Sequence, residues 1–191
     1  MAAVSAPFFP IIYVRGYAMT PAEIAEAVSS PYMGFNTGAT KLRQAWDGQV
    51  RRHVFESPLV RLMKDCGYRD VYADGSEIVG TLPARSVVIY RYYDSADRDL
   101  GDGKALSIVA AAQGLRELIV QLRAQVCGAD AQALAQFKVH LVAHSMGGLV
   151  CRCFLQNDTV STPGDRALVD KVFTYATPHN GIEMAGLNVP A

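Results

Sequence analysis

The sequence predicts an α/β protein: a parallel sheet flanked by helices. Two observations carry that expectation: four short, unbroken apolar runs, and amphipathic helical stretches lying between them. Apolar runs that do not alternate suit strands buried on both faces of a parallel sheet. Strand and helix succeed each other along the chain, as right-handed crossovers require. With 191 residues, the chain suits one domain burying roughly 70% of its unfolded surface. Residues 1–191 are therefore read as a single domain with an insertion at about 17–57.

The elements follow in chain order. Ile11 to Val14 is the first strand and ends at Arg15-Gly16. Forty residues then separate Gly16 from Ser57, far beyond the ~2–6 usual for a strand-to-helix loop. This insertion carries a short helix near Pro21 to Val28, glycines at 34 and 38, and a basic run at Lys41, Arg43, Arg51 and Arg52. At a sheet's C-terminal edge it reads as a lid or substrate wall, or else as a solvated surface excursion. Ser57-Pro58 is an N-cap with proline at the first helical position. Leu59, Leu62, Met63 and Cys66 continue at helical spacing, and Gly67 supplies the stop. Val87 to Tyr92 is the second strand. A long helix spans about Lys104 to Val126 on the stripe Ile108, Ala112, Leu115, Ile119, Leu122 and Val126. Val139 to Val142 is the third strand. A helix from Met146 buries Leu149, Val150, Cys153 and Phe154, and Lys171 to Ala176 is the fourth strand.

Composition excludes several function classes. Eighteen basic residues balance eighteen acidic ones, so no overall field attracts nucleic acid or anionic membrane. Four cysteines (66, 127, 151 and 153) are too few and too irregular for a disulfide scaffold, and are expected as buried or free thiols. No stretch approaches the ~20 apolar residues of a membrane span. The N-terminal segment contains Pro7 and Pro10 and lacks a basic start, so no signal peptide is expected and the location expected is cytoplasmic. His140 and His144 would lie ~13 Å apart on a strand, too far to share a metal. The acidic loop at Asp94, Asp97, Asp99 and Asp102 has glycine at 101, which breaks the calcium-loop pattern, and reads as solvated. Neither a G-x-G-x-x-G nor a Walker A sequence occurs, so the nucleotide-binding reading of a parallel sheet lacks its motif. Neither metal nor cofactor is expected.

In an open α/β sheet, chemistry sits beyond the carboxyl ends of the strands. Val142-Ala143-His144-Ser145-Met146-Gly147-Gly148 joins the third strand directly to the third helix. A serine on so sharp a turn takes strained backbone angles, and its neighbours two residues away must be small. Ala143 and Gly147 meet that demand, and Gly148 admits close helix packing. The helix start at Met146 aims free N–H groups and a positive dipole at any oxyanion forming near Ser145.

The segment 143–148 resembles the nucleophile elbow of the α/β-hydrolase superfamily, in its serine lipase and esterase branch. Ala143 stands where the family usually has glycine, and His144 is a neighbour of the nucleophile, not the triad histidine. Pro10 to Tyr17 resembles the lipase strand that ends in a histidine-glycine pair, with Arg15 in place of the histidine. That match implies that Tyr17 gives one oxyanion-hole N–H and Met146 the other. Tyr175 to Gly181 resembles the Thr-Pro-His-x-Gly segment of lipases related to lecithin acyltransferases and to GPI inositol-deacylases. Thr177, Pro178 and His179 would then shape the site rim. Chain order also admits His179 as the base, with Asp158, Asp165 and Asp170 preceding it. The resemblance runs from about Pro10 to Gly181.

It implies an α/β-hydrolase fold lacking its C-terminal strands, and a serine hydrolase that cleaves carboxylic esters through an acyl-enzyme on Ser145. A lipid-like ester is expected from the resemblance together with the apolar residues Phe35, Trp46, Val50 and Phe55 of the insertion. The expected partners are this substrate and transient contact with a lipid surface, not nucleic acid. Acyl transfer by the same nucleophile, or a catalytically incompetent binding module, are the alternatives. Only 46 residues follow Ser145, with one histidine among them. The chain alone is therefore expected to be inactive, with its fourth strand at a bare sheet edge and Gly186 to Ala191 outside any helix or strand.

Overall fold

Proline and glycine divide the chain into the elements that the sequence leads one to expect, and into several more. In chain order they are β1 (Ile11–Val14), α1 (Pro21–Ser29), β2 (Thr40–Gln44), β3 (Val50–Val54), α2 (Pro58–Cys66), β4 (Arg69–Asp70) and β5 (Ser86–Tyr90). There follow α3 (Ile108–Cys127), α4 (Ala131–Gln136), β6 (Val139–His144), α5 (Gly147–Gln156), α6 (Pro163–Arg166), β7 (Val169–Tyr175), β8 (Ile182–Met184) and β9 (Leu187–Val189). The structure is a computed structural model and describes residues 4–16, 20–37, 40–54, 56–71, 80–184 and 187–189.

Five strands form one parallel sheet in the order β4-β5-β1-β6-β7. Central β1 pairs with β5 on one side and β6 on the other, Ile11 facing Val87 and His140. All four of its residues are buried, which explains why it reads as an unbroken apolar run. From β1 the chain goes to the edge strand β4, returns inward to β5 beside β1, then crosses over β1 to β6 and on to β7. Strand order therefore reverses between β1 and β6, the point at whose carboxyl ends open α/β sheets generally form their binding crevice.

The crossovers into β6 and β7 run in the same direction, and their helices α3 and α5 pack against each other. The stripe of α3 that spacing picked out, Ala112, Leu115, Ile119, Leu122 and Val126, is buried, while Ile108 is half-buried. This helix starts at Ile108 and not Lys104, because the Ser107 side chain accepts the Ala110 N–H and caps it there. In α2, Ser57 caps Val60 N–H at 3.1 Å and Gly67 ends the helix, as expected. Cys153 on α5 is half-buried rather than buried, one turn from fully buried Val150 and adjacent in sequence to fully buried Phe154. All four cysteines are free thiols.

Several expectations are corrected. The strand placed at Val87–Tyr92 ends at Tyr90. Arg91 instead leaves the sheet, bonds Asp94 at 2.9 Å and donates to the carbonyls of Val28, Ser30 and Pro31. The last strand runs Val169–Tyr175 and is not buried on both faces: Val172, Phe173 and Tyr175 are exposed, and β7 lies at the sheet edge. The stretch expected to lie outside any strand contains β9, which pairs with β8 as an antiparallel hairpin with Glu183 opposite Asn188; Gly186, Pro190 and Ala191 lie outside the described residues.

The insertion divides in two. Its first half is part of the core: Ala27, Val28, Met33 and Phe35 are buried, and Phe35 stacks on Tyr13 with ring centroids 4.3 Å apart. Phe35 therefore does not belong to an exposed apolar wall. Its second half is the antiparallel ribbon β2–β3, where the basic run lies, with Trp46 and Val50 exposed. Phe55 lies outside the described residues.

Candidate functional site

Ser145 sits immediately after β6 and two residues before α5, with φ of 52°. Positive φ costs a side-chain-bearing residue roughly 1–2 kcal/mol, so the surrounding contacts must hold it there. Two hydrogen bonds do so. The Ser145 N–H donates to Tyr175 O at 3.0 Å, and the Gly148 N–H donates to Ser145 O at 3.0 Å. Ala176, the corresponding residue after β7, has φ of 51°, and both residues follow the paired His144 and Tyr175.

The crevice brings the three sequence segments together. A Cβ on Gly16 would collide with Ser145 Cβ and lie 2.8 Å from His144 O, so the backbone after β1 touches the serine. A Cβ on Gly147 would collide with Val14 O and lie 2.7 Å from Arg15 O. A Cβ on Gly148 would collide with the Thr177 side chain. Ala143 is fully buried beneath the turn. The small residues thus answer to β1 and to the segment after β7 as much as to the turn itself. Met146 is the N-cap of α5, and its N–H has no backbone acceptor among the described residues. Tyr17 lies outside the described residues.

His179 is not brought to Ser145 by a hydrogen bond. It is exposed, its Nε2 lies 3.3 Å from Thr174 Oγ1, and its carbonyl accepts from Arg152 at 2.8 Å. The turn around Pro178 closes through Gly181 N–H to Pro178 O at 2.9 Å. Thr177 Oγ1 is buried without a hydrogen-bond partner. His140 bonds the Pro7 carbonyl, and among the described residues no group of acidic, cysteine and histidine side chains could hold a metal. The acidic loop is satisfied internally: Asp97 accepts from Asp99 and Leu100 N–H, and Asp102 accepts from Lys104 N–H. Burial pushes the Cys151 thiol up to about 12, so this neighbour of the site is no competing nucleophile. A cleft of about 480 Å³ between α3 and α5 is lined by Ile108, Leu149 and Arg152, but not by Ser145.

Sequence reasoning missed an aromatic frame around the crevice. Tyr92 is buried and donates its hydroxyl to Arg15 O at 2.7 Å, which fixes the backbone leading to Gly16. Burial raises its pKa well above the ordinary value, so it remains a donor. Tyr175 donates to the Tyr13 hydroxyl at 3.3 Å and its ring lies 4.9 Å from His144. The run Tyr90, Tyr92, Tyr93 was the available signal. Replacing Tyr92 with phenylalanine is expected to cost about 1–2 kcal/mol, measured by urea denaturation, because it removes the donor to a part-buried carbonyl.

His144 is half-buried, and desolvation, with a smaller contribution from the Arg15 charge, lowers its pKa below 6.5. The unfolded chain binds this proton more readily, so stability rises with pH through this window. The contribution is complete above about 6.5 and is lost as the pH falls below that value through the lowered folded-state pKa. Denaturation midpoints measured at pH 5 and pH 7 should differ less in His144→Gln than in the parent.

These features define a parallel α/β protein with a serine held at a strained strand-to-helix turn, at the reversal point of its sheet. Compared with known proteins, the chain matches no family model, no curated protein and no solved structure.

Proposed function

We propose that the chain has the α/β-hydrolase fold of the lipase and esterase branch, and that Ser145 is the nucleophile for a lipid-like carboxylic ester. One observation carries this reading: Ser145 is held at φ 52° on the turn between β6 and α5, against Gly16, in the crevice beside β1. The resemblance of residues 143–148, 10–17 and 175–181 to that branch supports it.

Ser145 Oγ would attack the ester carbonyl, its proton passing to a base, and the carbonyl pair would move onto oxygen. The Met146 N–H and the start of α5 would stabilise that oxyanion, and the resemblance assigns the second N–H to Tyr17. Collapse expels the alcohol, which takes up the proton, and leaves an acyl-serine. Water then adds and the acid departs. Two carbon–oxygen bonds to the acyl group are broken, one to the alcohol and one to Ser145, and two are formed.

A second reading, a binding module on the same fold, is favoured by one fact. Among the described residues no histidine is hydrogen-bonded to the Ser145 hydroxyl, and a serine without a base is a weak nucleophile. The two readings separate on p-nitrophenyl esters of increasing acyl length and on labelling by an alkyl fluorophosphonate. A phosphonate adduct on Ser145, with turnover above that of buffer, supports the hydrolase. Intact Ser145 after prolonged exposure, with turnover equal to buffer, supports the binding module.

A further inference from the structure

We infer that the ribbon β2–β3 docks the protein on anionic lipid surfaces, with Trp46 entering the headgroup region. This does not depend on the ester chemistry proposed above.

The tip is an ordered turn. Gly48 N–H donates to Ala45 O at 3.0 Å, Ala45 N–H donates to Gln49 O at 2.8 Å, and the Asp47 carboxylate accepts Gln49 N–H at 3.1 Å. Gly48 has φ of 81°, the left-handed residue that such a turn demands. This turn holds the indole of Trp46 at 97% exposure, with Val50 beside it at 65%. An indole this uncovered, held on a turn of defined geometry, presents its apolar face to whatever approaches the tip.

Charge selects what covers it. Register places Arg43 directly opposite Arg51, and both are exposed. Register pairs Lys41 with His53 two residues further from the tip. Like charges directly opposite each other weaken a two-stranded ribbon, and an anionic surface removes that penalty. Within residues 40–54 four lysines and arginines face one acid, Asp47, although the whole chain is neutral. A single apolar tip backed by cations matches a membrane interface, where indole occupies the headgroup level and Lys or Arg meets anionic lipid. A nucleic-acid platform would instead set successive aromatics along a cationic groove. The ribbon offers one.

Trp46 is the chain's sole tryptophan, so its emission reports the contact directly. The test uses the full chain with vesicles of phosphatidylcholine, with or without phosphatidylglycerol, and with single-stranded RNA or polyglutamate in separate arms. The expected result is a blue shift, quenching by brominated acyl chains and co-sedimentation with phosphatidylglycerol vesicles alone. Arg43→Gln with Arg51→Gln should weaken sedimentation about 30-fold, at roughly tenfold or less per charge. Trp46→Ala should weaken it with an unchanged circular dichroism spectrum. No shift with either vesicle, equal binding to both, or a response to RNA or polyglutamate without quenching by brominated lipid would overturn the inference.

Discussion

Ser145→Ala is expected to abolish both phosphonate labelling and ester turnover, while Ser145→Gly does the same and makes the protein more stable. Loss of the nucleophile costs on the order of 10⁶ in turnover where a serine hydrolase has a working base. Where no base is engaged, parent and variants alike stay unlabelled, and only the stability difference separates them. Alanine keeps a Cβ and so keeps the strain of φ 52°. Glycine occupies that region freely, at some cost in unfolded-chain entropy. The balance should favour Ser145→Gly by about 1 kcal/mol, or roughly 2–4 °C in Tm for a chain of this size. A glycine variant no more stable than the parent would mean that the turn is unstrained, and would remove the main support for a functional serine.

Gly147→Ala is expected to be the most damaging single methyl group near the site. Its Cβ would collide with Val14 O and stand 2.7 Å from Arg15 O. Both obstacles are backbone, and Val14 belongs to the central strand, paired with Tyr90 on one side and Ala143 on the other. Neither can swing aside as a side chain would, so α5 must shift. The gain in helix propensity, about 1 kcal/mol, does not offset that. A loss of about 3 kcal/mol is expected, at the upper end for overpacking, and thermal unfolding should register it as roughly 6–12 °C. Gly16→Ala acts differently. Its Cβ meets Ser145 Cβ, so it should displace the serine turn and slow phosphonate labelling more than it lowers Tm.

Chemistry-bearing segments were legible because they are local. The serine turn needs small residues at fixed offsets, and Ala143, Ser145, Gly147 and Gly148 meet that need within six residues. The tyrosine frame was not legible, since Tyr92 reaches Arg15 across 77 positions and only folding brings them together. The ribbon β2–β3 was also missed. In β3 the consecutive polar residues Arg51, Arg52 and His53 break the alternation of a half-buried strand, and the turn at Gly48 joins the two strands.

By itself the sequence determined the parallel α/β class, the strands β1 and β6, the caps of α2, and the serine between strand and helix. Each is set by residues within a turn or two of one another, through periodicity, capping and steric size. Tertiary structure alone decided the two-residue strand β4, the exposed face of β7, the burial of Phe35 against Tyr13, and the engagement of His179 with Thr174. A strand as short as β4 gains its hydrogen bonds only when β5 lies beside it, and an apolar run is buried only if another element arrives to cover it. For β4 and Phe35 those partners are distant in the chain, and His179 meets Thr174 only because the turn after β7 folds back; no local pattern encodes either.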